Sequence, residues 1–246
     1  DLCRELMGKI SFGDMAFLCL AGRMPEARET RMFEAMLVAL VEHGIVPSSL
    51  AARLTFAGAP ESIQSAVAAG LLGVGSRIAG TTDAAARMLE AAWGDRIRRG
   101  GVPADDEVCE RADLIVRQHA ERSAHVPGIG HPIHKPVDPR AVRLFEIAAE
   151  TGFHGAHVRL MNAVSVEAQA RMGKLLPVNV TGAIAAVCCE MGLSGMVPRG
   201  MGIMSRAVGL VGHLLEEERH PLAMQLWRQA EEESTRHVRG QLREAA

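Results

Sequence analysis

The sequence predicts an all-α protein, on three observations. Apolar residues recur at helical spacing over most of the chain. No stretch alternates apolar and polar residues as a half-buried strand does. And 48% of the 246 residues are hydrophobic, enough to fill a sizeable core in one or two domains.

The elements follow in order. Residues 31–43 place Met32, Phe33, Met36, Leu37, Leu40 and Val41 on one helical stripe. Residues 50–56 and 63–72 predict two further helices. A helix over 83–93 starts with Asp83 as a plausible N-cap. Residues 105–119 are amphipathic, with Val108, Leu114 and Ile115 among charged neighbours. A helix over 139–150 begins with Pro139 in its first turn and Asp138 as cap, a favoured start. Residues 165–172, 182–190 and 202–219 continue the pattern. The last of these contains Gly209 and Gly212, which lower helix propensity by roughly 1 kcal/mol each and are explained by close helix packing. Residues 222–243 form a polar-faced terminal helix. Gly100-Gly101-Val102-Pro103 and residues 124–139 are the two clear loop regions.

Composition removes several functions. There are 27 basic and 29 acidic residues, for a net charge of -2, so no basic footprint for nucleic acid exists. Aromatics are 3% with no Tyr, which leaves no platform for stacked bases. Charge or glycine interrupts every apolar stretch before the roughly 18–20 residues of a membrane span. No signal peptide is visible, so a cytoplasmic location is expected. The five cysteines form no C-x-x-C pair, which fits free thiols in a reducing compartment. Cys188 and Cys189 lie in an apolar run and read as buried structural thiols.

The chemistry concentrates in Gly128-Ile129-Gly130-His131-Pro132-Ile133-His134-Lys135-Pro136-Val137-Asp138-Pro139-Arg140. Its glycines permit close backbone approach to a ligand, and the turn's N–H groups can meet an anion. Histidine is the side chain best suited to proton transfer near neutral pH. Arg140 sits in a first helical turn, where the helix dipole disfavours a cation. It gains sense as a bidentate partner for a substrate carboxylate. His131 and His134 are three apart, but no further ligand cluster supports a metal site. His119, His125, His154 and His157 read as ordinary polar residues, and His213 as a satisfied buried histidine. Glu216-Glu217-Glu218-Arg219 reads as a solvated helix end, and Arg96, Arg98 and Arg99 as a solvated loop.

This stretch resembles the catalytic loop of the citrate synthase superfamily, G-[FI]-G-H followed by D-P-R. Three other segments extend the resemblance. Glu42-His43-Gly44-Ile45-Val46-Pro47-Ser48-Ser49 is similar to the family's D-H-G-x-x-x-S-S. Ser205-Arg206-Ala207-Val208-Gly209, ending at His213, is similar to S-R-[ASTM]-x-G-x-x-x-H. Leu176-Pro177-Val178-Asn179-Val180-Thr181-Gly182 resembles P-N-V-D-G. The resemblance implies a citrate-synthase-like fold. A large helical domain (residues 1–83 and 187–246) would carry a smaller inserted one (84–186) with the His131 loop. It implies a homodimer, and closure of the small domain over the substrate.

It also implies roles. His131 would carry the proton of the substrate hydroxyl. His43, Arg140 and Arg206 would hold carboxylates, with Arg77 as a further substrate contact. Coenzyme A would rest on Gly128, Ile129 and Gly130 and on the stretch from Lys174 through Pro177 to Asn179, with Lys135 or Lys174 near its phosphates. No metal is required. Ile78 stands where synthases carry a histidine, and Gly73-Val74-Gly75-Ser76-Arg77-Ile78-Ala79-Gly80 is closer to the segment of citryl-CoA lyases and of the lyase module of ATP-citrate lyase. Thr181 stands where the family places an acidic acid/base. It can donate a hydrogen bond or hold a water, but it does not titrate near neutrality. Water, another residue, a different substrate or weak activity are each compatible with that change.

The implied activity is carbon–carbon cleavage of citryl-CoA, or a related 3-hydroxy-3-carboxyacyl-CoA, to acetyl-CoA and oxaloacetate or another 2-oxo acid. The alternatives are a condensing acyltransferase and a catalytically impaired, CoA-binding regulatory subunit.

Overall fold

The computed structural model describes residues 1–75, 81–193 and 195–244, the last seven of these by backbone only. The described residues form eleven α-helices, preceded by a short π-helical turn at Leu2–Leu6. In order they are α1 (Phe12–Ala21), α2 (Ala27–Val41), α3 (Pro47–Gly58), α4 (Ile63–Leu72), α5 (Thr81–Trp93), α6 (Asp105–Glu121), α7 (Pro139–Thr151), α8 (Ala156–Met172), α9 (Val180–Glu190), α10 (Val197–Arg219) and α11 (Ala223–Glu244).

The all-α expectation is met, and α4 has the expected bounds. Three expectations are corrected. α1 was not anticipated; it is started by a capping box between Ser11 and Asp14 and stopped by Gly22 in the left-handed region. Asp83 is not an N-cap, because α5 already runs from Thr81, and its carboxylate pairs with Arg87 one turn on. α8 begins nine residues before the expected start at 165, where Glu190 accepts hydrogen bonds from the N–H groups of His157 and Val158.

Packing divides the chain into two compact units: Asp1–Leu40 with Ser76–Gly202, and Val41–Gly75 with Ile203–Ala246. In the first unit α9 is the central element. Its residues from Val180 to Cys188 are buried apart from Thr181. A helix apolar all round must be enclosed, and α5, α7 and α8 enclose it. Ala183, Ala185 and Ala186 keep its sides thin. Phe17 and Phe33 meet edge to face at 5.2 Å beside Met32 and Met36.

The second unit is smaller. Ala52 of α3, Ala66 of α4 and Leu210 and Leu214 of α10 form its core, flanked by Phe56, Val67 and Leu71. Gly209 fits the packing expectation: a Cβ there would lie 2.0 Å from the Val41 carbonyl oxygen. Gly212 does not, since a Cβ there would meet nothing within 4 Å.

Candidate active site

In the first unit a glycine turn is locked against the start of α9. Gly128 and Gly130 have φ of +87° and +78°, a region costly to residues with a Cβ. Gly130 N–H donates to the Pro177 carbonyl at 2.7 Å, and Asn179 N–H to the Gly128 carbonyl at 3.0 Å. Ile129 and Val178 form an isolated antiparallel bridge between them. So Gly128, Ile129, Gly130, Pro177 and Asn179, all expected near coenzyme A, lie side by side. Gly182 makes this approach possible, because a Cβ there would sit 2.1 Å from the Gly128 oxygen. Asn179 finishes the joint. Its Oδ1 caps α9 by accepting from Gly182 N–H at 3.0 Å, and its Nδ2 donates to the Gly130 carbonyl at 2.8 Å.

His131 follows the turn and is half-buried. Its Nδ1 accepts the N–H groups of Ile133 at 3.1 Å and His134 at 3.0 Å. A backbone N–H can only donate, so Nδ1 is the unprotonated nitrogen and a neutral ring carries its proton on Nε2. That Nε2 lies 3.5 Å from Nη2 of Arg140. Two donors side by side suit one shared acceptor, such as a substrate oxygen. The His134 ring lies 4.4 Å from that of His131, tilted by 35°.

Arg140 is held by Asp138. Asp138 Oδ1 accepts from Arg140 Nε at 3.0 Å and from its backbone N–H at 3.1 Å; Oδ2 accepts from Arg140 Nη2 at 2.8 Å and from Val180 N–H at 3.0 Å. The Asp138 side chain is 0% exposed and that of Arg140 23%. Burial alone would raise the Asp138 carboxyl, but the Arg140 guanidinium and the two N–H groups outweigh it and hold it below the ordinary aspartate value. Asp138 thus takes the Nε/Nη2 edge of the guanidinium. The second N–H of Nη2 and the two of Nη1 form the edge that can meet a carboxylate.

Thr181 stands beside this group, donating to Asn179 Oδ1 at 2.7 Å and touching the Thr81 hydroxyl at 2.9 Å. Lys135 and Lys174 are exposed. Arg77 and Ile78 lie outside the described residues.

The second unit holds His43 and Arg206. Glu42 organises the loop: its Oε1 accepts the N–H of His43 at 2.8 Å and also that of Gly44. Burial raises the Glu42 carboxyl, but the Gly44 and His43 N–H groups, His213 and Arg206 together bring it below the usual glutamate value. His213 Nε2 is 3.2 Å from Glu42 Oε1, while its Nδ1 is 2.8 Å from Arg53 Nη2. Arg53, 1% exposed, also donates to Glu217 Oε2 at 2.8 Å and pairs with Glu216. His213 is thus a satisfied buried histidine, as expected. Arg206 is different: its Nη1 is buried and has no hydrogen-bond partner among the described residues. Burial lowers its pKa from the usual arginine value against the opposing pull of Glu42.

Four residues have partners that the sequence did not show. Asp138 is the expected cap, and it also holds the Arg140 side chain and Val180. Glu217 is 5% exposed, pairs with Arg53 and caps α11 by accepting from Leu222 and Ala223, so 216–219 is not simply a solvated end. His157 is 5% exposed, with Nδ1 3.4 Å from Glu190. Arg96 is engaged by Glu107 through two bonds of 2.6 and 2.9 Å. Partners 11 to 164 residues away are invisible to periodicity. Only the Asp138–Arg140 spacing offered a local signal.

These features belong to a known family. The model of the citrate synthase C-terminal domain matches residues 6–230, and the chain is a member of the citrate synthase family. Citryl-CoA lyase from Hydrogenobacter thermophilus is 37% identical, with a TM-score of 0.75, over 86% of this chain and 78% of that one. ATP-citrate synthase beta chain protein 1 of Oryza sativa subsp. japonica is 27% identical over 80% of this chain, and the match spans 33% of its length. The chain thus spans about a third of the curated relatives it matches. ATP citrate lyase from Methanothrix soehngenii, solved with citrate and coenzyme A, shares the fold at a TM-score of 0.67 and 23% identity. Lyases of citryl-CoA type therefore stand among the chain's relatives, within an enzyme superfamily. No helix among the described residues is long and apolar enough to cross a membrane.

Proposed function

We propose that the chain cleaves citryl-CoA, or a related 3-hydroxy-3-carboxyacyl-CoA, into acetyl-CoA and oxaloacetate or another 2-oxo acid. The observation that carries this reading is the pair His131 Nε2 and Arg140 Nη2, 3.5 Å apart beside the 128–130 turn. In cleavage the tertiary hydroxyl gives its proton to a water, the C–C bond breaks, and the oxygen becomes a ketone. Two donors at that oxygen stabilise the charge that builds on it. This revises the role expected for His131: with Nδ1 accepting two N–H groups, the ring is arranged to donate to the oxygen rather than to take its proton. Arg206, whose buried Nη1 has no partner among the described residues, would hold a carboxylate, and His43 another. Coenzyme A would lie along Gly128, Ile129 and Gly130 and along Pro177 and Asn179, its phosphates toward Lys135 or Lys174.

The test is direct. The purified chain is mixed with citryl-CoA, and oxaloacetate and acetyl-CoA are followed. Cleavage that falls about 10²–10³-fold in His131→Ala supports the reading. Citrate formation from acetyl-CoA and oxaloacetate faster than cleavage would shift it to the condensing reaction. A second reading, a regulatory subunit that binds coenzyme A, is favoured by Thr181, whose only proton is already given to Asn179. Coenzyme A binding without turnover of citryl-CoA is its signature.

A further inference from the structure

The direction of one hydrogen-bond chain can be read without ambiguity. Asn179 Nδ2 meets a carbonyl, that of Gly130, at 2.8 Å, so it donates. Asn179 Oδ1 meets an N–H, that of Gly182, at 3.0 Å, so it accepts. Two backbone groups thereby fix which end of the amide is which. Thr181 Oγ1 lies 2.7 Å from that same Oδ1, so it must donate there. A hydroxyl has one proton and two acceptor sites. The 2.9 Å contact between Thr81 and Thr181 is then a bond in which Thr81 donates. The chain runs one way: Thr81 to Thr181 to Asn179 to Gly130. It ties the starts of α5 and α9 to the turn that leads into His131.

Thr181 therefore has no proton to give. Among the described residues it keeps one acceptor site, which is what a water molecule needs to be held by one hydrogen and present the other. We infer that Thr181 is the positioning residue for a water that protonates the departing acyl-CoA enolate, and that Thr81 supports it by filling the second acceptor site. This inference rests on the cleavage reaction proposed above. When the bond between the carbinol carbon and the acyl α carbon breaks, its electron pair stays on the thioester as an enolate. The α carbon takes a proton from the held water. The carbinol hydroxyl passes its proton to the oxygen of that same water as the water gives up its own, so the water is restored. No electrons enter or leave.

The experiment compares Thr181→Ser, Thr181→Val and Thr81→Val in the full chain with citryl-CoA as substrate and coenzyme A as binding probe. Serine keeps both the donated proton and the acceptor site, so kcat stays within about threefold of the parent. Valine keeps the shape and removes the oxygen, so kcat falls about 10²-fold, as for loss of a general acid, with KM nearly unchanged. Thr81→Val loses a single neutral hydrogen bond and lowers kcat by about 3–10-fold. Full kcat in Thr181→Val overturns the inference. So does a loss in Thr181→Ser as large as in the valine variant. Coenzyme A binding by the parent chain without cleavage also overturns it, since an enzyme served by water must turn over. If the parent neither binds coenzyme A nor cleaves citryl-CoA, the functional reading itself falls.

Discussion

Asp138 grips the Arg140 guanidinium through both of its oxygens, at 3.0 and 2.8 Å, and with the second oxygen also holds the first N–H of α9 at 3.0 Å. One buried carboxylate thus sets an arginine, a helix start and, through the arginine, the neighbourhood of His131. Asp138→Asn removes the charge and turns a donor toward the guanidinium. It is expected to cost about 2–4 kcal/mol, slightly below the usual loss for a broken buried pair because Arg140 is 23% exposed. Urea unfolding measures this, and a change below about 0.5 kcal/mol would contradict it. The pH dependence has a definite sign. The folded carboxyl titrates below its unfolded value of about 3.9, so its stabilisation is in full force above that pH and drains away as pH falls through the lower folded value. The asparagine variant lacks this acid-side loss.

The tautomer of His131 is open to direct measurement. At about pH 8, nitrogen NMR of the ring is expected to show a protonated Nε2 and an unprotonated Nδ1. A majority of the opposite tautomer would remove the donor pair from the proposed chemistry.

Arg206 is expected to separate binding from stability. Its buried Nη1 lacks a partner among the described residues, so Arg206→Met relieves a desolvated donor. Stability should hold or rise by up to about 1 kcal/mol, while KM for citryl-CoA rises about 10–100-fold, the worth of charged hydrogen bonds to a carboxylate. A variant that unfolds more easily and keeps its KM would assign Arg206 to the scaffold.

Thiol chemistry distinguishes the cysteines. Cys3, Cys19 and Cys109 are exposed. Cys188 is buried between the sulfurs of Met36 and Met201, at 3.9 and 3.8 Å, and burial pushes its thiol up to about 12. Burial pushes the Cys189 thiol up as well. A native titration with an aromatic disulfide reagent is expected to count three fast thiols and reach five only after unfolding. A fourth fast thiol would mean that α9 opens.

Gly182→Ala drives a methyl group to 2.1 Å from the Gly128 oxygen, against backbone that has no rotamer to yield. The expected cost is about 3 kcal/mol, the upper end for overpacking, with kcat lowered because the turn before His131 moves. Unchanged melting and unchanged kcat would show that the turn can retreat at little cost.

Much of this was legible in the chain, and the exceptions share a cause. Helices that coincide with an apolar run, such as α4, or with an explicit start, such as Asp138-Pro139 for α7, were readable because both signals are local. The beginning of α8 was not, because the group that caps it is Glu190, 33 residues from His157. The glycine turn, His131, Asn179 and Thr181 were recognisable as motifs, and the fold brings them together. The pairing of Arg53 with Glu217 spans 164 residues, and no spacing rule reaches that far. The resemblance put Thr181 where the family has an acid; the direction of its hydrogen bond needed the backbone partners of Asn179.

The backbone bonds between the 128–130 turn and residues 177–179 have a dynamic consequence. Gly130 and Asn179 donate N–H groups that open only if the turn lifts from the start of the most buried helix. Their amide hydrogens should exchange with solvent on the slow timescale of global unfolding, not on that of surface loops. Residues joined in this way melt as one cooperative body with the core, so a ligand seated on the turn would raise the melting temperature of the entire first unit.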